Sequence, residues 1–172
     1  MRRVAILGAG GKDFHVFLTL YRDAPDAEVV FFTATQIPGI EKRIFPASLA
    51  GPRYPNGIPI YPESELPTLL ERHHIDEVVF AYSDVSYEYV EQRRRLAESN
   101  GAKFILPDPK AVMLDASKPV VAVCAVRTGA GKSPTSRLVV STLRAYGRRV
   151  IVIRHPMPYG HCLLYTSPSP RD

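Results

Sequence analysis

The chain has 172 residues, 45% hydrophobic and 23% charged, with a net charge of +5. This ordinary globular composition allows one large domain or two small ones, and no apolar run approaches the roughly 20 residues that a membrane-spanning helix needs. The mild positive excess suits nucleotides and phosphorylated metabolites rather than nucleic acid, because no aromatic-interleaved basic stripe accompanies Arg93-Arg94-Arg95.

Residues 3–9 read as a short buried strand, and Gly8-Ala9-Gly10-Gly11 turns it into a helix with Phe14, Phe17, Leu18 and Tyr21 on one face. The same glycines, followed by Lys12-Asp13, cut the apolar start too short for a signal peptide, so a cytoplasmic location is expected. This is a Rossmann-like opening. The dinucleotide fingerprint, however, wants a glycine three residues after Gly10, where Asp13 stands. The second strand, residues 28–34, runs into Thr35 and Gln36 instead of the carboxylate that would hold a ribose. An NAD site therefore has weak support. Gly8, Gly10 and Gly11 serve either a tight turn or a small-ligand or phosphate site, with Asp13 and His15 as candidate contacts.

Residues 37–62 are rich in Pro and Gly and show no sustained periodicity, which reads as a functional loop or covering flap. Arg43 and Arg53 within it either meet an anion or serve solubility. Residues 63–74 form a predicted helix with Leu66, Leu69 and Leu70 inward; the adjacent His73 and His74 face different directions and make a poor metal pair. A third buried strand, residues 76–81, ends in Tyr82-Ser83-Asp84. Ligands of open α/β sheets bind beyond the carboxyl ends of strands, so Tyr82, Ser83 and Asp84 are placed for ligand contact, with capping of the next helix by Ser and Asp as the alternative. The helix over 87–99 stops at Asn100-Gly101, residues 103–106 are a fourth strand, and residues 107–118 read as a domain junction.

Beyond the junction, a β-branched run over 119–126 predicts a buried strand that encloses Cys124. Cys124 and Cys162 together offer no disulfide or metal-ligand spacing. The strand feeds Thr128-Gly129-Ala130-Gly131-Lys132-Ser133 and then a helix over 132–146 with Leu138, Val139, Thr142 and Leu143 at helical spacing. Strand, glycine turn and helix in that order make a phosphate-binding loop. Gly129 and Gly131 let successive N–H groups point inward, and a helix N-terminus adds partial positive charge. Lys132 would reach the outer phosphates, and Ser133 would offer its hydroxyl to a Mg²⁺ that bridges two of them. The full pattern asks for glycine at position 126, where this chain has valine. Residues 149–153 predict another buried strand, after which Arg154 could bind a second phosphate and His155 assist proton movement, or both belong to an ordinary loop.

Five blocks carry a family resemblance: Gly8 to His15, Phe32 to Ile40, Val78 to Ser86, Val126 to Ser133 and Arg154 to Gly160. Together they resemble the predicted GTPases related to cyclic 2,3-diphosphoglycerate synthetase. The resemblance implies an α/β fold, with a Rossmann-like parallel-sheet domain over 1–116 and the first part of a P-loop NTPase α/β domain over 117–161. It implies ATP or GTP and a small phosphorylated metabolite as partners, Mg²⁺ as cofactor and Lys132 as the catalytic residue. The named enzyme uses ATP to close an internal phosphoanhydride in 2,3-diphosphoglycerate, and many relatives are only presumed GTPases. The last eleven residues, 162–172, do not continue the resemblance and look like a translated sequencing-adapter oligonucleotide. A P-loop enzyme also needs a later acidic Mg²⁺ ligand and base-recognition segments, so the parent protein is the expected enzyme and this chain alone is not expected to turn over. The alternative is a non-catalytic nucleotide- or metabolite-sensing module; an NAD(P)-dependent oxidoreductase is disfavoured, and homo-oligomerisation stays open.

Overall fold

Four apolar strands with almost no alternation require a sheet that is covered on both faces, and that is what these residues build. The computed structural model describes residues 1–35, 43–82, 85–124 and 130–153. It divides into two compact units, Met1–Met113 and Leu114–Asp172. In the first unit a six-stranded sheet has the order β3-β4-β2-β1-β5-β6. Its strands are β1 (Arg2–Leu7), β2 (Ala27–Ala34), β3 (Ile44–Phe45), β4 (Ile58–Pro62), β5 (Glu77–Phe80) and β6 (Lys103–Ile105). All neighbours run parallel except β3, which is antiparallel to β4. The order reverses between β1 and β5, so the unit is a Rossmann-like α/β fold with its crevice at the carboxyl ends of those two strands.

Period-two alternation sends the side chains of β2 to two cores. Phe32 joins Ile6, Val16, Phe17, Phe45 and Tyr54 on one face. Phe31 joins Leu7, Leu66, Leu69, Leu70 and Phe80 on the other. The first core is aromatic: Phe17 meets Phe32, Phe45 and Tyr54 edge-on, with centroids 5.9, 5.5 and 5.3 Å apart. Each fully buried ring contributes about 1.5–3 kcal/mol. The predicted first helix is α1 (Lys12–Val16), continued by a π-helical turn over Phe17–Tyr21. Opposite it lie α3 (Leu66–His73), entered through a 3₁₀ turn at Glu63–Glu65, and α4 (Tyr87–Ser99). The Ser86 hydroxyl caps α4 by accepting from the Tyr89 N–H at 3.2 Å.

One expected loop is a strand. Ile58 and Ile60 of β4 are buried at 1% and 4% exposure and pair it with β2 in the register Phe32↔Ile60. Pro59 and Pro62 remove two N–H donors from this segment, which hid the strand pattern. The short helix α2 (Ala47–Ala50) and Tyr54 fill the same interval, the Tyr54 hydroxyl accepting from the Val29 N–H at 3.1 Å. Arg53 donates to the carbonyls of Ala24 and Ala27, so it ties this segment down instead of waiting for an anion.

His73 closes α3 with its Nε2 buried and unpartnered among the described residues. Burial, with Arg72 and Arg3 nearby, holds its pKa below the ordinary imidazole value of about 6.5. A neutral histidine is thus favoured in the folded state. Its contribution should be fully present above pH 6.5 and be lost as pH falls toward the depressed folded value. Urea unfolding at a series of pH values should show that slope, and His73→Phe should flatten it.

In the second unit, α5 (Lys132–Ala145) matches the expected helix. The two expected strands that flank it are not formed. Residues 119–124 and 149–153 carry no strand; Val120 is 71% exposed, Ile151 89% and Ile153 93%, and Cys124 is exposed. A parallel strand exists only with hydrogen-bonded neighbours and a covered face, and neither run has them among the described residues. No residue of α5 is buried. Among the described residues, no helix is long and apolar enough to cross a membrane.

Candidate functional site

Two regions carry the candidate residues. At the carboxyl edge of the first unit, Gly8 leaves β1 with φ 124° and the turn Gly8-Ala9-Gly10-Gly11 leads into α1. Asp13, 4% exposed, folds back under this turn. Its carboxylate accepts from the N–H groups of Gly10 (2.9 Å), Gly11 (2.8 Å) and Phe14 (2.7 Å). Burial raises its pKa, while those backbone donors pull it down. The glycine turn therefore spends its inward N–H groups on the chain's own carboxylate. His15 points elsewhere, with Nε2 2.6 Å from the Val112 carbonyl. A carbonyl only accepts, so Nε2 carries the proton.

On the opposite face of the same edge lies a polar cluster that the sequence did not single out. Glu63, just past β4, is 6% exposed. Its Oε1 receives Arg93 Nε at 2.5 Å and the Tyr89 hydroxyl. Arg93 also stacks over the Tyr89 ring, 4.5 Å from its centroid. Burial first, then Glu63, pushes the Tyr89 phenol up to about 12. Removing Arg93 would leave a buried carboxylate held by one hydroxyl. Arg93→Ala should thus lower stability by about 1–3 kcal/mol, read as a drop in urea midpoint. Arg94 is similarly occupied by Glu91 at 3.0 Å and the Phe104 ring, so two of the three consecutive arginines are paired within the fold. Ser83 and Asp84 lie outside the described residues.

The second region is the start of α5. Gly131 holds the N-cap with φ 88° and ψ 17°, a left-handed geometry, and no side chain caps the helix. Thr135 and Ser136 turn their hydroxyls back to the carbonyls of Gly131 (2.9 Å) and Lys132 (2.8 Å). The Lys132 and Ser133 side chains, by contrast, bond to no described residue, and both residues are exposed. The first N–H groups of a 14-residue helix, a free ammonium and a free hydroxyl thus share one end. Ala130 adjoins them; Thr128, Gly129, Arg154 and His155 lie outside the described residues. Among the described residues no group of three His, Cys, Asp or Glu is arranged to hold a metal ion.

No family model matches the chain. Among solved structures, the UDP-D-quinovosamine 4-dehydrogenase of Vibrio fischeri is similar with a TM-score of 0.49 at 18% identity, over 63% of this chain and 80% of that one. RSP in complex with β-NADH is similar with a TM-score of 0.42 at 15% identity, over 86% of this chain and 64% of that one. A curated relative, the arginine synthetase ArcE of Thermococcus kodakarensis, is 59% identical over 159 residues, which are 92% of this chain and 36% of that protein. The chain thus spans about a third of the length of the curated relative it matches.

Proposed function

We propose that the chain is the amino-terminal part of a longer nucleotide-dependent enzyme, in which the segment Thr128 to Ser133 binds the phosphates of ATP or GTP. The observation that carries this reading is the start of α5, where Lys132 and Ser133 are free beside uncapped helix N–H groups. Those donors and the helix dipole favour an anion there. In this mechanism the backbone N–H groups and the Lys132 ammonium neutralise charge on the transferred phosphoryl group, and Lys132 acts by electrostatic positioning with no proton transfer. Mg²⁺ would supply charge neutralisation between phosphates. Ser133 fits it as a single hydroxyl donor, since Mg²⁺ takes its remaining oxygens from phosphates and water. Residues 119–124 and 149–153 would become strands once further chain pairs with them.

A relative named as a synthetase supports a joining reaction, in which nucleotide cleavage drives bond formation, over simple GTP hydrolysis. Two acceptors are in play: a small phosphorylated metabolite, as in cyclic 2,3-diphosphoglycerate synthesis, and an arginine precursor, as the relative's name indicates. Multiple-turnover phosphate release by the full-length protein, with each acceptor added in turn, tests this. Acceptor-stimulated release supports a synthetase. Nucleotide binding without release would leave the sensing module as the better account.

A further inference from the structure

Residues 107–113 carry the chain from the end of β6 to the end of the first unit at Met113. Pro107 and Pro109 have no N–H to offer a neighbouring strand, and the bonds that the other residues donate stay inside the segment. Lys110 donates its N–H to the Asp108 carboxylate at 2.9 Å, Ala111 to the Asp108 carbonyl at 3.0 Å and Met113 to the Lys110 carbonyl at 3.3 Å. They close a 3₁₀ turn over Pro109–Val112. Among the described residues, one hydrogen bond ties this segment to the rest of the unit: His15 Nε2 donates to the Val112 carbonyl at 2.6 Å.

Apolar contact is equally sparse. Pro107 and Val112 are half-buried and the rest of the segment is exposed. Val112 packs against the aromatic core where the turn lies along Phe17–Tyr21. A segment with few buried contacts opens at far less cost than a core sheet, and lifting this one breaks no bond between strands. His15, which the sequence offered as a ligand contact, is therefore committed to holding the exit of the first unit.

We propose that residues 107–113 form a releasable strap, latched to α1 by His15, which opens while the sheet stays folded and so sets how far the chain beyond Met113 can reach. Released and fully extended, the strap adds at most about 25 Å of tether, at roughly 3.3–3.6 Å per residue. The strap does not depend on nucleotide at Lys132. Hydrogen exchange of the 172-residue chain, followed by NMR at single amides, tests it. A short isolated turn does not hold itself, so the Ala111 and Met113 amides report the strap. The Asp76 and Ala81 amides, bonded to the Arg3 and Leu7 carbonyls at 2.9 and 3.1 Å, report the sheet. His15→Ala should speed exchange at Ala111 and Met113 by about fivefold, the effect of losing one ordinary hydrogen bond, and leave Asp76 and Ala81 at the parental rate. His15→Gln, whose side-chain N–H can still donate to the Val112 carbonyl, should restore most of the protection. Unchanged exchange at Ala111 and Met113 in His15→Ala would overturn the proposal. So would equal acceleration at all four amides, which would mean that the strap opens only with the sheet.

Discussion

Lys132→Ala in the full-length protein should reduce nucleotide turnover by roughly 10²–10³-fold or more, the loss seen when one preorganised donor to developing charge is removed. The fold should not change. Lys132 is exposed and pairs with no described residue, and alanine is the best helix former at the first position of α5. Circular dichroism of the variant should therefore overlay on the parent while steady-state phosphate release collapses. Arginine at the same position keeps the charge but replaces a compact ammonium with a planar fork, so Lys132→Arg should recover only part of the activity. A variant that turns over at the parental rate would make the glycine turn a simple connector.

Gly8→Ala should strongly destabilise the first unit. Gly8 combines φ 124°, a backbone region that costs a residue with a side chain of order 1–3 kcal/mol, with a neighbour that cannot yield. A Cβ there would collide with Asp13 Oδ2 and lie 3.1 Å from Asp13 Cβ and Cγ. Asp13 is pinned by the N–H groups of Gly10, Gly11 and Phe14, so relief means breaking that cluster. Overpacking adds about 1–3 kcal/mol. Urea unfolding of Gly8→Ala should show a midpoint shift large relative to the total stability of a small domain. Asp13→Gly in the same background removes the obstacle and should recover part of the loss, whereas strictly additive effects would mean the two positions do not interact.

The parallel core was legible because its signals are local. Val4 to Leu7 and Val78 to Phe80 are uninterrupted apolar runs, and Ser86 and Asn100-Gly101 bracket α4 at its observed ends. β4 was not legible, since Pro59 and Pro62 interrupt the alternation that Ile58 and Ile60 would otherwise announce. The runs at 119–124 and 149–153 fail for the opposite reason. Their composition is that of buried strands, but pairing is a property of neighbours, and composition alone does not provide them. At the site, Gly131-Lys132-Ser133 was readable as a motif with fixed spacing. The Glu63 cluster was not, because its members lie 26 and 30 residues apart and each alone looks like a helix-surface residue. Asp13 was noticed as the residue that spoils a dinucleotide fingerprint. Only its burial beneath the turn reveals that it takes up the N–H groups that a phosphate would use.

The measurement that bears most directly on the account is equilibrium titration of the full-length protein with fluorescent ATP and GTP analogues in the presence of Mg²⁺, run beside Lys132→Ala. Phosphate binding at Lys132 predicts saturable binding of at least one nucleotide, competed by the unlabelled compound and weakened by at least tenfold in the variant. Absence of binding by either nucleotide, or equal affinity in parent and variant, would contradict it.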